Sequence, residues 1–147
     1  MTRDEVTQLI LTNKRRKQLK WAHLGEAIEL SKEWTTAALL GQMTLTSEQA
    51  NIIGGLLELP AEAVEMLQVV PYKGSLPTAV PTDPLIYRFY ELINVYGTSI
   101  KELIHEEFGD GIMSAIDFSM DITREENPNG DRVKIVLNGK FLPYRTY

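Results

Sequence analysis

The chain has 147 residues, 44% of them hydrophobic, and a formal net charge of −5. That length suits one domain or one small domain with an extension, and the apolar fraction excludes a disordered chain. Cysteine is absent, which excludes disulfides, thiolate metal sites and a thiol nucleophile together.

Residues 1–80 hold 8 basic and 9 acidic side chains, and the remainder 7 and 11. Neither part has the basic footprint of a DNA-binding domain. An anionic substrate would have to be drawn by a local cluster against an unfavourable global field. No apolar run is long enough for a membrane helix, and the start, MTRDEVTQ, is too acidic and polar for a signal peptide. The expected location is cytoplasmic, with neither membrane nor nucleic acid as a partner.

Residues 1–70 read as helical. Thr2 and Glu5 form a capping box before a first helix carrying Val6, Leu9 and Ile10. Trp21, Leu24 and Ile28 mark a second helix. Ser31 can cap a third, with Trp34, Ala37 and Leu40 and with Gly41 as a stop. Thr46 or Ser47 starts a fourth helix bearing Ala50, Ile53 and Leu57, and Pro60 opens a fifth with Val64 and Leu67 facing inward.

This layout resembles the helix-turn-helix bundles of phage-repressor type through Trp21, Leu24, Gly25, Ile28, Ser31, Leu40 and Gly41. DNA recognition would then fall to the third helix. That helix, SKEWTTAALLGQ, offers no arginine or asparagine suited to base edges. The run Lys14, Arg15, Arg16 and Lys17 reads as a solvated helix end, where cations favour the dipole. A structural or oligomerising bundle is the better reading, with a DNA-binding regulator as the alternative.

Pro71, Pro77, Pro81 and Pro84 punctuate a stretch that should run extended. Asp83 and Pro84 then open a helix expected to stop at Gly97, with Thr98 capping another that ends near Phe108 and Gly109. From Ile116 to Thr123, apolar and polar residues alternate, which predicts a half-buried strand with Ile116, Phe118, Met120 and Ile122 on one face. Asn129-Gly130 marks a turn into a return strand with Val133, Ile135 and Leu137, and Asn138-Gly139 marks a second turn. A sheet this small is marginal alone, so this part should complete its core with another subunit.

The expected class is therefore α+β. It comprises a five-helix bundle of repressor-like type over 1–70, an extended linker over 71–83, and a small helix plus β-hairpin dimerisation domain over 84–147, which also holds the candidate chemistry.

Three residues are candidates for that chemistry. Arg88 and Glu91, spaced i, i+3, can meet on one helix. By spacing alone they could be a surface ion pair of little energetic weight. The surrounding Tyr87, Phe89, Tyr90, Leu92 and Ile93 leave little of that helix as a plain solvated face. An arginine among aromatics is a good receptor for a small planar anion. Ser114 follows Gly109-Asp110-Gly111. It is either an ordinary loop serine or an anion-binding hydroxyl beside backbone N–H groups that the glycines leave approachable. His23 and His105 belong to no triad motif, and His105-Glu106-Glu107 lacks the second histidine of a zinc motif.

The elements YRFYE at 87–91, VYG at 95–97 and FGDGIMSAIDF at 108–118 closely resemble the cyanase family. AALLGQ at 37–42 and GKFLP at 139–143 extend the resemblance more weakly over the whole chain. It implies a lyase acting on two small anions, cyanate and bicarbonate, with bicarbonate as co-substrate and no other cofactor and no metal. It implies Arg88, Glu91 and Ser114 as the catalytic trio, and a homodecamer of five dimers with active sites at subunit interfaces.

Overall fold

The computed structural model describes residues 1–146. It divides into two compact units, Met1–Ser75 and the part from Leu76 onward.

The first unit is a bundle of five helices: α1 (Arg3–Arg16), α2 (Trp21–Ala27), α3 (Lys32–Leu39), α4 (Ser47–Leu57) and α5 (Ala61–Met66). Local chemistry fixes their starts. Thr2 Oγ1 accepts from the Glu5 N–H while Glu5 Oε2 accepts from the Thr2 N–H. Thr46 and Gln49 repeat that box at α4, and Ser31 Oγ accepts from the Trp34 N–H at α3. The helices enclose one core of Val6, Ile10, Leu24, Leu39, Ile53 and Leu57, with Leu67 following α5. His23 is spent on structure, its Nδ1 accepting from the Lys20 N–H at the start of α2.

The basic run at the end of α1 is also absorbed by packing. Arg16 and Lys17 both pair with Glu58, at 2.6 and 2.7 Å, and Lys14 lies 4.6 Å from the Trp21 ring centroid. Those cations hold the Glu58 carboxyl below the usual carboxylate range, Lys17 most strongly. On α3, the one lysine pairs with its neighbour Glu33.

Arg3 ties the bundle together in a way the sequence did not announce. Its Nη1 donates to the Met66 carbonyl at 2.9 Å, and its Nη2 to the Ala38 and Met43 carbonyls at 2.9 and 3.0 Å. These carbonyls lie at or near the C-terminal ends of α3 and α5, where the negative dipole end favours a cation; those of Ala38 and Met66 also accept the Gly41 and Val69 N–H groups. Burial lowers the Arg3 pKa from its ordinary value. Arg3→Met should therefore destabilise the bundle by about 1.5–3 kcal/mol, since three part-buried hydrogen bonds from a charged donor are lost. Denaturant midpoints of the two proteins measure this, and a shift below about 0.5 kcal/mol would contradict it.

The second unit consists of α6 (Pro84–Phe108) and an antiparallel hairpin, β1 (Gly111–Glu125) with β2 (Arg132–Pro143). Asp83 caps α6, its Oδ1 accepting from the Leu85 and Ile86 N–H groups at 2.9 and 3.0 Å. Gly130, at φ +117°, serves the turn after Asn129.

Three expectations fail here. No helix ends at Gly97: α6 runs unbroken through Gly97 and Thr98 for 25 residues. A single interior glycine costs about 1 kcal/mol, less than ending one helix and nucleating another. Asn138-Gly139 is no turn either; both pair within β2, opposite Ser119 and Phe118. Gly139 is there for close approach, because a Cβ on it would stand 2.3 Å from the Ser114 carbonyl oxygen. Finally, the alternation holds for Phe118, Met120 and Ile122, which pair with Gly139, Leu137 and Ile135, but it excludes Ile116. A register break between Met113 and Phe118 sets four residues, Ser114 to Asp117, against the single residue Lys140, and leaves Ile116 97% exposed.

Candidate active site

Arg88 and Glu91 project from the second and third turns of α6. Arg88 Nη1 lies 3.2 Å from Glu91 Oε2, in an i, i+3 pair whose side chains are 65% and 53% exposed. At that exposure the pair contributes under about 1 kcal/mol to folding. Its consequence is orientation. Glu91 engages Nη1 at one corner of the guanidinium, while the Tyr87 ring lies beneath it, 5.8 Å from Cζ. The Nε–Nη2 edge is then the side able to receive a planar anion through two parallel N–H bonds.

Ser114 sits at the start of the register break and is only 5% exposed. Its Oγ accepts from the Ile116 N–H at 3.0 Å and the Asp117 N–H at 2.9 Å, closing the bulge from within. This changes the expected picture of the loop. The N–H groups of residues 116 and 117 serve the serine, so they are not donors for an anion. With both lone pairs engaged, the hydroxyl has one further thing to offer, its own proton. Geometry thus makes Ser114 a donor.

One chain does not bring Ser114 to Arg88. The hairpin meets α6 through its last turns, where Ile104 and Phe108 line a cavity of about 220 Å³ with Met113, Gly139 and Phe141. The Phe108 and Phe141 ring centroids are 5.1 Å apart. Arg88 lies twenty residues back along the helix, about 30 Å at 1.5 Å per residue. The donor therefore lies by the C-terminal end of α6 and the cation near its N-terminal end.

The apolar surface has the same incompleteness. No residue of α6 is buried, although Leu85, Phe89, Leu92, Ile93, Tyr96 and Leu103 are all on it. A helix this apolar normally lies within a core. Among the described residues, no group of three or more histidine, aspartate or glutamate side chains converges as a metal site.

Comparison with known proteins bears on both units. Residues 3–71 match the family described as cyanate hydratase, N-terminal, and residues 78–146 match the cyanate lyase C-terminal domain. Over all 147 residues, and the full length of each relative, the chain is 82% identical to a cyanate hydratase of Thiobacillus denitrificans, 73% to one of Dechloromonas aromatica and 72% to one of Ralstonia pickettii. The crystal structure of cyanase from T. urticae aligns with a TM-score of 0.82 at 39% identity, covering 94% of this chain and 96% of that one.

Proposed function

The chain belongs to the cyanate lyase family, and on that premise we propose that it is a bicarbonate-dependent cyanate lyase whose active sites are completed between copies of the chain. The observation that carries the second half is the separation of Arg88 from Ser114 within one chain. A partner copy placing its own Ser114 bulge against Arg88 and Glu91 would unite the three residues. It would also cover the apolar face of α6.

The chemistry needs little beyond such a meeting. Bicarbonate oxygen adds to the cyanate carbon, giving a dianion. With one proton taken up, that adduct breaks a C–O bond to release carbon dioxide and carbamate. Carbamate takes a second proton and separates into ammonia and another carbon dioxide. The barrier lies in bringing two anions together and bearing their combined charge, a task for positioned donors and a fixed cation. Arg88 supplies the charge through its Nε–Nη2 edge, Glu91 fixes that edge, and Ser114 donates its hydroxyl proton as a hydrogen bond. Bicarbonate is co-substrate, and no further cofactor takes part. The assembly proposed is a decamer of five dimers, and the location the cytoplasm. No helix among the described residues is long and apolar enough to cross a membrane.

The test is ammonia release on mixing the purified protein with cyanate and bicarbonate, run beside a gel shift with mixed DNA. Ammonia that depends on bicarbonate supports the proposal; a DNA shift with no ammonia overturns it in favour of the regulator. Ser114→Ala sharpens the assignment. It should lower turnover by on the order of 10²–10³, the cost of one lost donor to a developing charge. It should also cost about 1–3 kcal/mol of stability, because two N–H groups lose their acceptor. Near-normal turnover in that variant would leave Ser114 with its bulge-closing role alone.

A further inference from the structure

Two parallel i, i+3 rungs run along α6 at the arginine. One is ionic, Arg88 with Glu91. The other is aromatic: the Tyr87 and Tyr90 ring centroids are 5.9 Å apart at an interplanar angle of 35°. The rungs are joined by the Arg88 guanidinium, whose Cζ lies over the Tyr87 ring at 5.8 Å. Residues at i and i+1 on a helix do not normally face each other, so this contact means that the arginine turns sideways across its neighbour.

Glu91 alone cannot fix the guanidinium. One hydrogen bond at Nη1 restrains a corner and leaves the plane free to rotate about it. A ring against the face removes that freedom, because the negative face of the aromatic quadrupole attracts the flat cation. Once a partner or the substrate excludes water from the site, the attraction strengthens.

We propose that Tyr87 is a positioning residue: its ring holds the plane of the Arg88 guanidinium so that the Nε–Nη2 edge stays aimed at the anion. This rests on Arg88 being the anion receptor of a cyanate lyase. The ring acts through its π-face, and the phenol oxygen is not required. Tyr90 supports the ring from the next turn.

The experiment replaces Tyr87 by phenylalanine and then by phenylalanines carrying one to five ring fluorines, which drain the quadrupole while nearly preserving shape. Assembly is read by light scattering and kcat by ammonia release in the same samples. Tyr87→Phe should stay within about twofold of wild type. Stepwise fluorination should lower kcat progressively, on the order of tenfold at five fluorines, in protein that remains assembled. A flat series overturns the proposal, since a packing role responds to shape and not to ring electronics. Loss of activity in Tyr87→Phe itself also overturns it by assigning the effect to the phenol oxygen. Wild-type protein that releases no ammonia would instead sink the cyanate lyase reading on which the proposal stands.

Discussion

Arg88→Lys should lower cyanate turnover by on the order of 10²–10³, nearly as far as Arg88→Ala. Both variants keep the helix, because α6 is capped by Asp83 and buries no residue against the rest of its own chain. Lysine keeps the charge and loses the fork. Its ammonium is a compact, strongly hydrated point charge that can pair with Glu91 but cannot also present two parallel donors to an anion. In the proposed site the guanidinium does both, with Nη1 on Glu91 and the Nε–Nη2 edge left for the anion. Steady-state ammonia release from the three proteins, each shown to be assembled, makes the measurement. A lysine variant at wild-type turnover would show that a point charge suffices and would end the oriented-fork account. An alanine variant far below the lysine variant would put most of the effect in charge alone.

The bundle was legible in the sequence because its signals are local. Thr2 with Glu5, Ser31 and Thr46 with Gln49 each carry their hydrogen-bond partner within three residues; the first two caps form as expected, and of Thr46 and Ser47 it is Thr46 that caps α4. Asp83 before Pro84 is the same kind of signal. Failures came where a residue's meaning depended on something distant. Gly97 resembles a stop, yet propagating α6 through it keeps the backbone bonds that a stop would break. Gly139 resembles a turn after Asn138, but it is small because the Ser114 carbonyl crosses it from the opposite strand. Arg3 carried no signal, since the carbonyls it gathers are 35, 40 and 63 residues away.

The candidate site shows the same division. Arg88 and Glu91 meet as i, i+3 spacing requires. Ser114 did not disclose its setting. The alternation predicts a regular strand through Ile116, whereas three extra residues on β1 break the register there. A bulge is set by the partner strand and by a hydroxyl that replaces the lost ladder bonds, and neither shows in a hydrophobic pattern. The trio is what the family resemblance implies, and spacing alone does not pick it out. The structure adds that the Ser114 hydroxyl accepts from two backbone N–H groups and that one chain holds it apart from Arg88.

Charging the hairpin should abolish assembly and activity together. Phe118, Met120 and Ile122 on β1 share a face with Ile135 and Leu137 on β2. Phe118 and Ile135 are half-buried in the single chain, and Met120, Ile122 and Leu137 remain 38%, 40% and 53% exposed, so the described residues cover the face only in part. A two-stranded hairpin with a half-covered apolar face is marginal in water, and the last turns of α6 are what reach it. If a second copy covers the face, Phe118→Asp or Ile135→Asp buries an unpaired carboxylate there, at a cost of several kcal/mol. Four kcal/mol weakens association by roughly a thousandfold. The first unit should remain folded, because its core of Val6, Ile10, Leu24 and Leu57 contains no residue of the hairpin. The expected result is helical protein with no large assembly and no ammonia release. Light scattering across a dilution series, with activity measured in the same samples, is the check. A stable and fully active monomer of about 16.6 kDa would defeat both the shared site and this account of the sheet.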